Sequence, residues 1–114
     1  MVSIHEIKYE DIDKGFLDVL ERLVPPDIDN KEYAKKILQK IKMNSLHKIF
    51  VADDDSNGKV VGTTTLLIEP KFINRGMQVG YIEDVSVRKE YNTVNIIIKD
   101  MTDQLDSYLL EHFS

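Results

Sequence analysis

Residues 47–70 constrain this chain more than any other stretch: HKIFVAD, then DDSNG, then KVVGTTTLLIEP. Two runs rich in β-branched residues flank a turn of residues that tolerate left-handed backbone, the pattern of a long β-hairpin. Pro70 closes the second strand, because proline cannot donate to a ladder. A hairpin placed mid-chain commits the domain to antiparallel pairing, and the remaining segments must supply the layers that cover the sheet. With 114 residues there is material for one core and not for two.

The flanking segments supply those layers. SIHEIKYEDID begins as a strand with Ile4 and Ile7 apolar, then reaches Asp11 or Asp13, both good N-cap residues. KGFLDVLERLV sets Phe16, Leu17, Leu20 and Leu23 at helical spacing, and Pro25–Pro26 stops that helix. A second helix is expected from Asp29 or Asn30. It has an apolar stripe of Tyr33, Ile37, Leu38 and Ile41, and its lysines at 31, 35, 36, 40 and 42 lie on the solvent side. KFINRGMQ is a polar connection to a third strand, VGYIEDVSV. From Tyr91 onward, Ile98, Met101, Leu105, Tyr108 and Leu109 share one helical face, with Asp100, Asp103, Asp106 and Glu111 largely off it. The expected order is β-α-α-β-β-β-α, a single α+β domain over residues 1–114 with a mostly antiparallel sheet and helices packed on it.

Composition narrows the function classes. Hydrophobic content of 42% with 31% charged residues is that of a folded globular chain. The net charge of −5 argues against a nucleic-acid or anionic-lipid surface, which needs a basic face. With no cysteine, disulfides and thiolate chemistry are excluded, and His5, His47 and His112 lie too far apart in sequence to form a metal pair, so no metal is expected. No targeting signal or membrane-length apolar run is present, which gives a cytoplasmic protein as the expectation.

VGYIEDVSV is the anomaly. Simple alternation puts Val79, Tyr81, Glu83, Val85 and Val87 on one face and Gly80, Ile82, Asp84 and Ser86 on the other. Two adjacent carboxylates, one per face, interrupt an apolar strand where such residues are depleted, and a broken rule of this kind points to a site.

The residues Glu69, Lys71, Phe72, Ile73 and Asn74, followed by Gly80, Tyr81, Ile82, Glu83, Asp84, Val85, Val87 and Tyr91, match a recurring pattern. With them the chain resembles the GCN5-related N-acetyltransferase (GNAT) superfamily, and more narrowly its glucosamine-6-phosphate N-acetyltransferases. The match is strong between residues 58 and 91 and weaker toward the N-terminus.

The resemblance implies a GNAT-like fold and acetyl transfer from acetyl-CoA, as substrate, to the amine of glucosamine 6-phosphate, on the route to UDP-N-acetylglucosamine. It implies that Glu83 and Asp84 hold the aminosugar and draw off its proton. Lys71, Phe72, Ile73 and Asn74 contact the sugar phosphate, with Arg75 adding to an anion patch. The backbone of Val85, Ser86 and Val87 pairs with the pantetheine arm. A homodimer is the partner state it suggests.

The chain also departs from that pattern. After the tyrosine, the family's glycine-rich pyrophosphate loop is replaced by Asn92, Thr93, Val94, Asn95, Ile96 and Ile97, with no glycine after Gly80. The family's later strands and helix have no counterpart, so the C-terminal part of the fold is expected to be missing. Two expectations therefore stand together: an acetyltransferase, or a catalytically impaired relative acting as a binding or dimerisation partner.

Overall fold

A computed structural model of the chain describes residues 1–21, 23, 28, 30–91 and 94–113. Strand β1 (Val2–Glu6) leads into a 3-10 turn (Tyr9–Lys14) and helices α1 (Phe16–Leu20) and α2 (Lys31–Lys42). The hairpin follows as β2 (His47–Asp54) and β3 (Val60–Pro70). A single distorted turn, α3 (Ile73–Gly76), joins it to β4 (Gln78–Val87), and α4 (Val94–Phe113) ends the chain. The sheet order is β1-β2-β3-β4 with every pair antiparallel. The expected order is therefore present, with the 3-10 turn and α3 added to it. No helix among the described residues is long and apolar enough to cross a membrane.

The sheet is covered on both faces. On one, Ile7, Ile12, Phe16, Val19, Ala34 and Leu38 pack with Ile49, Val51 and Val60 of the hairpin. On the other, Ile97, Met101 and Leu105 of α4 meet Ala52, Val61 and Val87, and then Phe50, Leu66 and Ile68. Strand β3 is buried along nearly its whole length because it runs between these two layers. Each fully buried Val or Leu there contributes about 1.5–3 kcal/mol over leaving it in water.

Two expectations shift in detail. The first helix is not continuous over KGFLDVLERLV and is not capped by Asp11 or Asp13. Gly15 at φ +93° ends the 3-10 turn and restarts the chain as the short α1. The left-handed backbone favours glycine there, and the Arg88 guanidinium docks on it, its Nη2 donating to the Gly15 carbonyl at 3.1 Å. In α4 the buried face includes Ile97 as well as Met101 and Leu105, and Ile98 packs half-buried beside them. Gly62 makes the slot, since a Cβ there would lie 3.3 Å from Val87 and 3.4 Å from both Ile97 and Met101. Asn30 does cap α2, accepting the Tyr33 amide at 2.7 Å. The stop at Pro25–Pro26, the start at Asp29 and the loop positions Asn92 and Thr93 lie outside the described residues.

Candidate active site

The acidic doublet sits at a β-bulge. Thr65 pairs with Glu83 and Thr63 with Ser86, so Asp84 and Val85 on β4 oppose Thr64 alone on β3. Two residues against one leave the extra residue out of the ladder and bend the strand. Asp84 absorbs the bend at φ +53°, a left-handed conformation that Asp tolerates better than most side chains.

The bulge corrects the alternation expected from the sequence. Directly paired residues share a face. Glu83 therefore lies with its partner Thr65 on the α1/α2 side, as does Tyr81, while Gly80 and Ile82 lie toward α4. Beyond the bulge the phase inverts, and Val85 and Val87 enter the core under α4. Ser86 turns to the other face, where its hydroxyl donates to the Val19 carbonyl at 2.9 Å. Val79, Tyr81 and Glu83 thus do not share a face with Val85 and Val87. Asp84, for its part, lines a cavity of about 190 Å³ on the α1/α2 side, with Phe16, Leu20, Ile28, Thr63 and Thr65. Both carboxylates belong to that side. Both are exposed, so the doublet is not buried.

Among the described residues β4 is the outer strand, bonded to β3 and to nothing on its other edge. Behind it, the Thr64 hydroxyl is buried without a hydrogen-bond partner.

The expected phosphate contacts fall on α3 and its approach. Lys71 donates to Glu69 at 2.8 Å, so its charge is largely answered. The Glu69 hydrogen bond and charge raise the Lys71 pKa, and Lys71 in turn lowers that of Glu69, while the Tyr81 hydroxyl adds smaller effects on both. Tyr81 entered the sequence reading as part of the matched pattern and was given no role in the site. The register that sets it beside Glu69 and Lys71 could not be read from the strand alone. Phe72 and Ile73 are exposed, Phe72 fully so. Asn74 and Arg75 sit at φ +48° and +61°, and Arg75 has no ion pair among the described residues.

At the start of α4, Asn95 and Ile96 are exposed and Ile97 is core. A cleft of about 300 Å³ beside them is lined by Met1, Asp54, Tyr91, Ile96 and Asp100. Hydrogen bonds from Ser56, and from the Tyr91 hydroxyl at 2.6 Å, hold the Asp54 carboxyl down to about 2. This wall is therefore anionic at neutral pH.

One cluster lies away from the doublet. His5, Asp11 and Asp53 bring potential ligand atoms within 4.8 Å of one another. Both ring nitrogens of His5 are already engaged, Nδ1 with the Glu6 carbonyl at 2.8 Å and Nε2 with Asp53 Oδ2 at 2.7 Å.

No protein-family profile matches the chain. It is 32% identical over 85 residues to "Glucosamine 6-phosphate N-acetyltransferase 1" of Oryza sativa subsp. japonica, covering 74% of this chain and 52% of that one. The chain thus spans about half the length of this relative. The crystal structure of glucosamine-6-phosphate N-acetyltransferase from Arabidopsis thaliana superposes with a TM-score of 0.75 at 24% identity, over 92% of this chain and 76% of that one. A GNAT family acetyltransferase of Staphylococcus aureus gives a TM-score of 0.74 at 15% identity, over 95% and 79%.

Proposed function

From a chain that has the GNAT fold and is related in sequence to glucosamine-6-phosphate N-acetyltransferases, we propose an N-acetyltransferase that moves the acetyl group of acetyl-CoA to the amine of glucosamine 6-phosphate. The observation that carries this reading is the outer edge of β4 with a bulge at Asp84. An unpaired strand edge offers alternate N–H and C=O groups to an extended amide-bearing arm, as a further strand would. The side chains of Val85, Ser86 and Val87 are turned into packing or hydrogen bonding. That leaves their backbone as the part available to pantetheine.

At the bulge, a peptide N–H outside the ladder is free to polarise the thioester carbonyl and to stabilise the oxyanion that forms on it. Asp84 and Glu83 lie on one side of the strand, where they attract the substrate ammonium and accept its proton, directly or through water. The amine nitrogen then bonds to the thioester carbon. Collapse of the tetrahedral species breaks the C–S bond, and CoA leaves as the thiolate, which takes up a proton. Arg75 and Lys71 supply positive charge for the sugar phosphate, and Arg75 is the stronger candidate because Glu69 already answers Lys71. The cytoplasm is the location that goes with this reading.

A second reading has its own observation. Ile97 is committed to the core and Asp54 keeps the neighbouring cleft anionic, which disfavours a pyrophosphate at the start of α4. On that reading the chain is a non-catalytic partner that uses the same open edge to associate with a second copy or a longer relative.

Calorimetry with acetyl-CoA, followed by a thiol-release assay with glucosamine 6-phosphate, separates the two. Catalysis requires saturable binding and thiol release, with Glu83→Gln lowering turnover by about a hundredfold or more and leaving the circular dichroism unchanged. Binding without release rules out catalysis but shows that the cofactor is held despite the start of α4. Absence of both overturns the enzymatic reading.

A further inference from the structure

We propose that protonated His5 is a pH-operated latch: it fastens the N-terminal strand and the 3-10 turn to the sheet, and loses its hold when the ring gives up its proton. The argument is one of donors and acceptors. The Glu6 carbonyl facing Nδ1 and the Asp53 carboxylate facing Nε2 both require a donor. A neutral imidazole has a single N–H, whereas the imidazolium has two. Whichever tautomer the neutral ring adopts, one nitrogen lone pair is left pointing at an oxygen lone pair less than 3 Å away.

The charges around the ring favour the same state. Asp11, on the 3-10 turn, is 1% exposed, and its Oδ2 lies 3.9 Å from Nδ1 while accepting the Lys8 amide at 2.7 Å. Its other oxygen and Oδ1 of Asp53 on β2 are buried without partners. The remaining nearby acid, Glu6, is answered separately by Lys42 of α2 and Lys48 of β2, each at 3.9 Å. His5 is therefore the only cation set between Asp11 and Asp53 among the described residues, and its neutralisation leaves two enclosed carboxylates facing each other.

The ring's titration moves in the matching direction. Burial works to lower the His5 pKa, but the Glu6 carbonyl, the Asp53 hydrogen bond and the Asp11 charge outweigh it, and the pKa is raised above 6.5. A raised folded-state pKa gives stability that is complete below 6.5 and is lost as the pH climbs through the folded value. The opening falls on β1 because it is an outer strand bonded to β2 alone.

The test is a proton NMR titration of the His5 ring in the wild type and in Asp53→Asn, in excess EDTA, with melting curves of the wild type and His5→Gln from pH 6 to pH 9. The latch requires a His5 midpoint above 6.5 that drops in Asp53→Asn. It also requires a wild-type melting temperature that falls relative to His5→Gln by about 4 °C or more across that range. Should His5→Gln fail to fold, the titration in the wild type and Asp53→Asn decides alone. A midpoint at or below 6.5, or one indifferent to Asp53→Asn, overturns the proposal. Stabilisation of the wild type but not His5→Gln by zinc chloride at pH 8 does so too, since a metal ion would then hold the place assigned to the proton.

Discussion

Replacing Asp84 by valine and by asparagine separates what the bulge needs from what the carboxylate does. At φ +53° the backbone is left-handed, which for an ordinary L residue costs about 1–2 kcal/mol. Asn tolerates that conformation as Asp does, whereas a β-branched side chain fits it poorly. Asp84 is exposed, so neither change removes much packing, and backbone strain dominates the difference. Asp84→Val should lose about 1–2 kcal/mol, which for a domain of this size lowers the melting midpoint by about 4–8 °C. Asp84→Asn should stay within about 0.5 kcal/mol of the parent. Urea denaturation followed by circular dichroism measures both, with a constant m-value showing that the unfolding reaction is the same. If valine is tolerated as well as asparagine, or asparagine is as damaging as valine, the bulge is not held by left-handed backbone at this residue.

Two further outcomes test other parts of the fold. Leu105→Ala empties a site that is 0% exposed, between Phe50, Leu66 and Ile68. It should cost about 2–5 kcal/mol by chemical denaturation, and a loss below about 1 kcal/mol would show that α4 does not pack there. The Asp54 carboxyl titrates at about 2 instead of 3.8, so its contribution to stability is present above pH 3.8 and is lost as the pH falls through about 2. Tyr91→Phe removes one of its donors and should bring that titration, followed by carboxyl NMR, back toward 3.8; an unmoved value would rule out the Tyr91 hydrogen bond.

The hairpin and the order of elements were legible because both rest on local pattern. Alternating β-branched residues flank DDSNG, and Asn30 stands before a clean helical stripe. The bulge was not legible. VGYIEDVSV alternates without a visible break, and only the register against Thr63, Thr64 and Thr65 reveals the extra residue. Its consequence, both carboxylates on one side and Val85 and Val87 on the other, could not be reached from periodicity. The hydrogen bond that Arg88, far along the chain, makes to Gly15 and the burial of Ile97 beside Gly62 are tertiary facts. His5, Asp11 and Asp53 are scattered in sequence, and only strand pairing and the 3-10 turn gather them. The resemblance pointed to the doublet. Its solvent exposure, and the answering of Lys71 by Glu69, are tertiary facts.

The open side of β4 also has a colloidal consequence. A bare strand edge recruits other strands indiscriminately, and here Phe72, Ile73, Tyr81 and Ile82 stand exposed beside it. Two negative charges in the middle of that strand are the kind of gatekeeper that keeps copies of such a chain from stacking into fibrils. Any change that neutralises the doublet therefore disarms this protection as well.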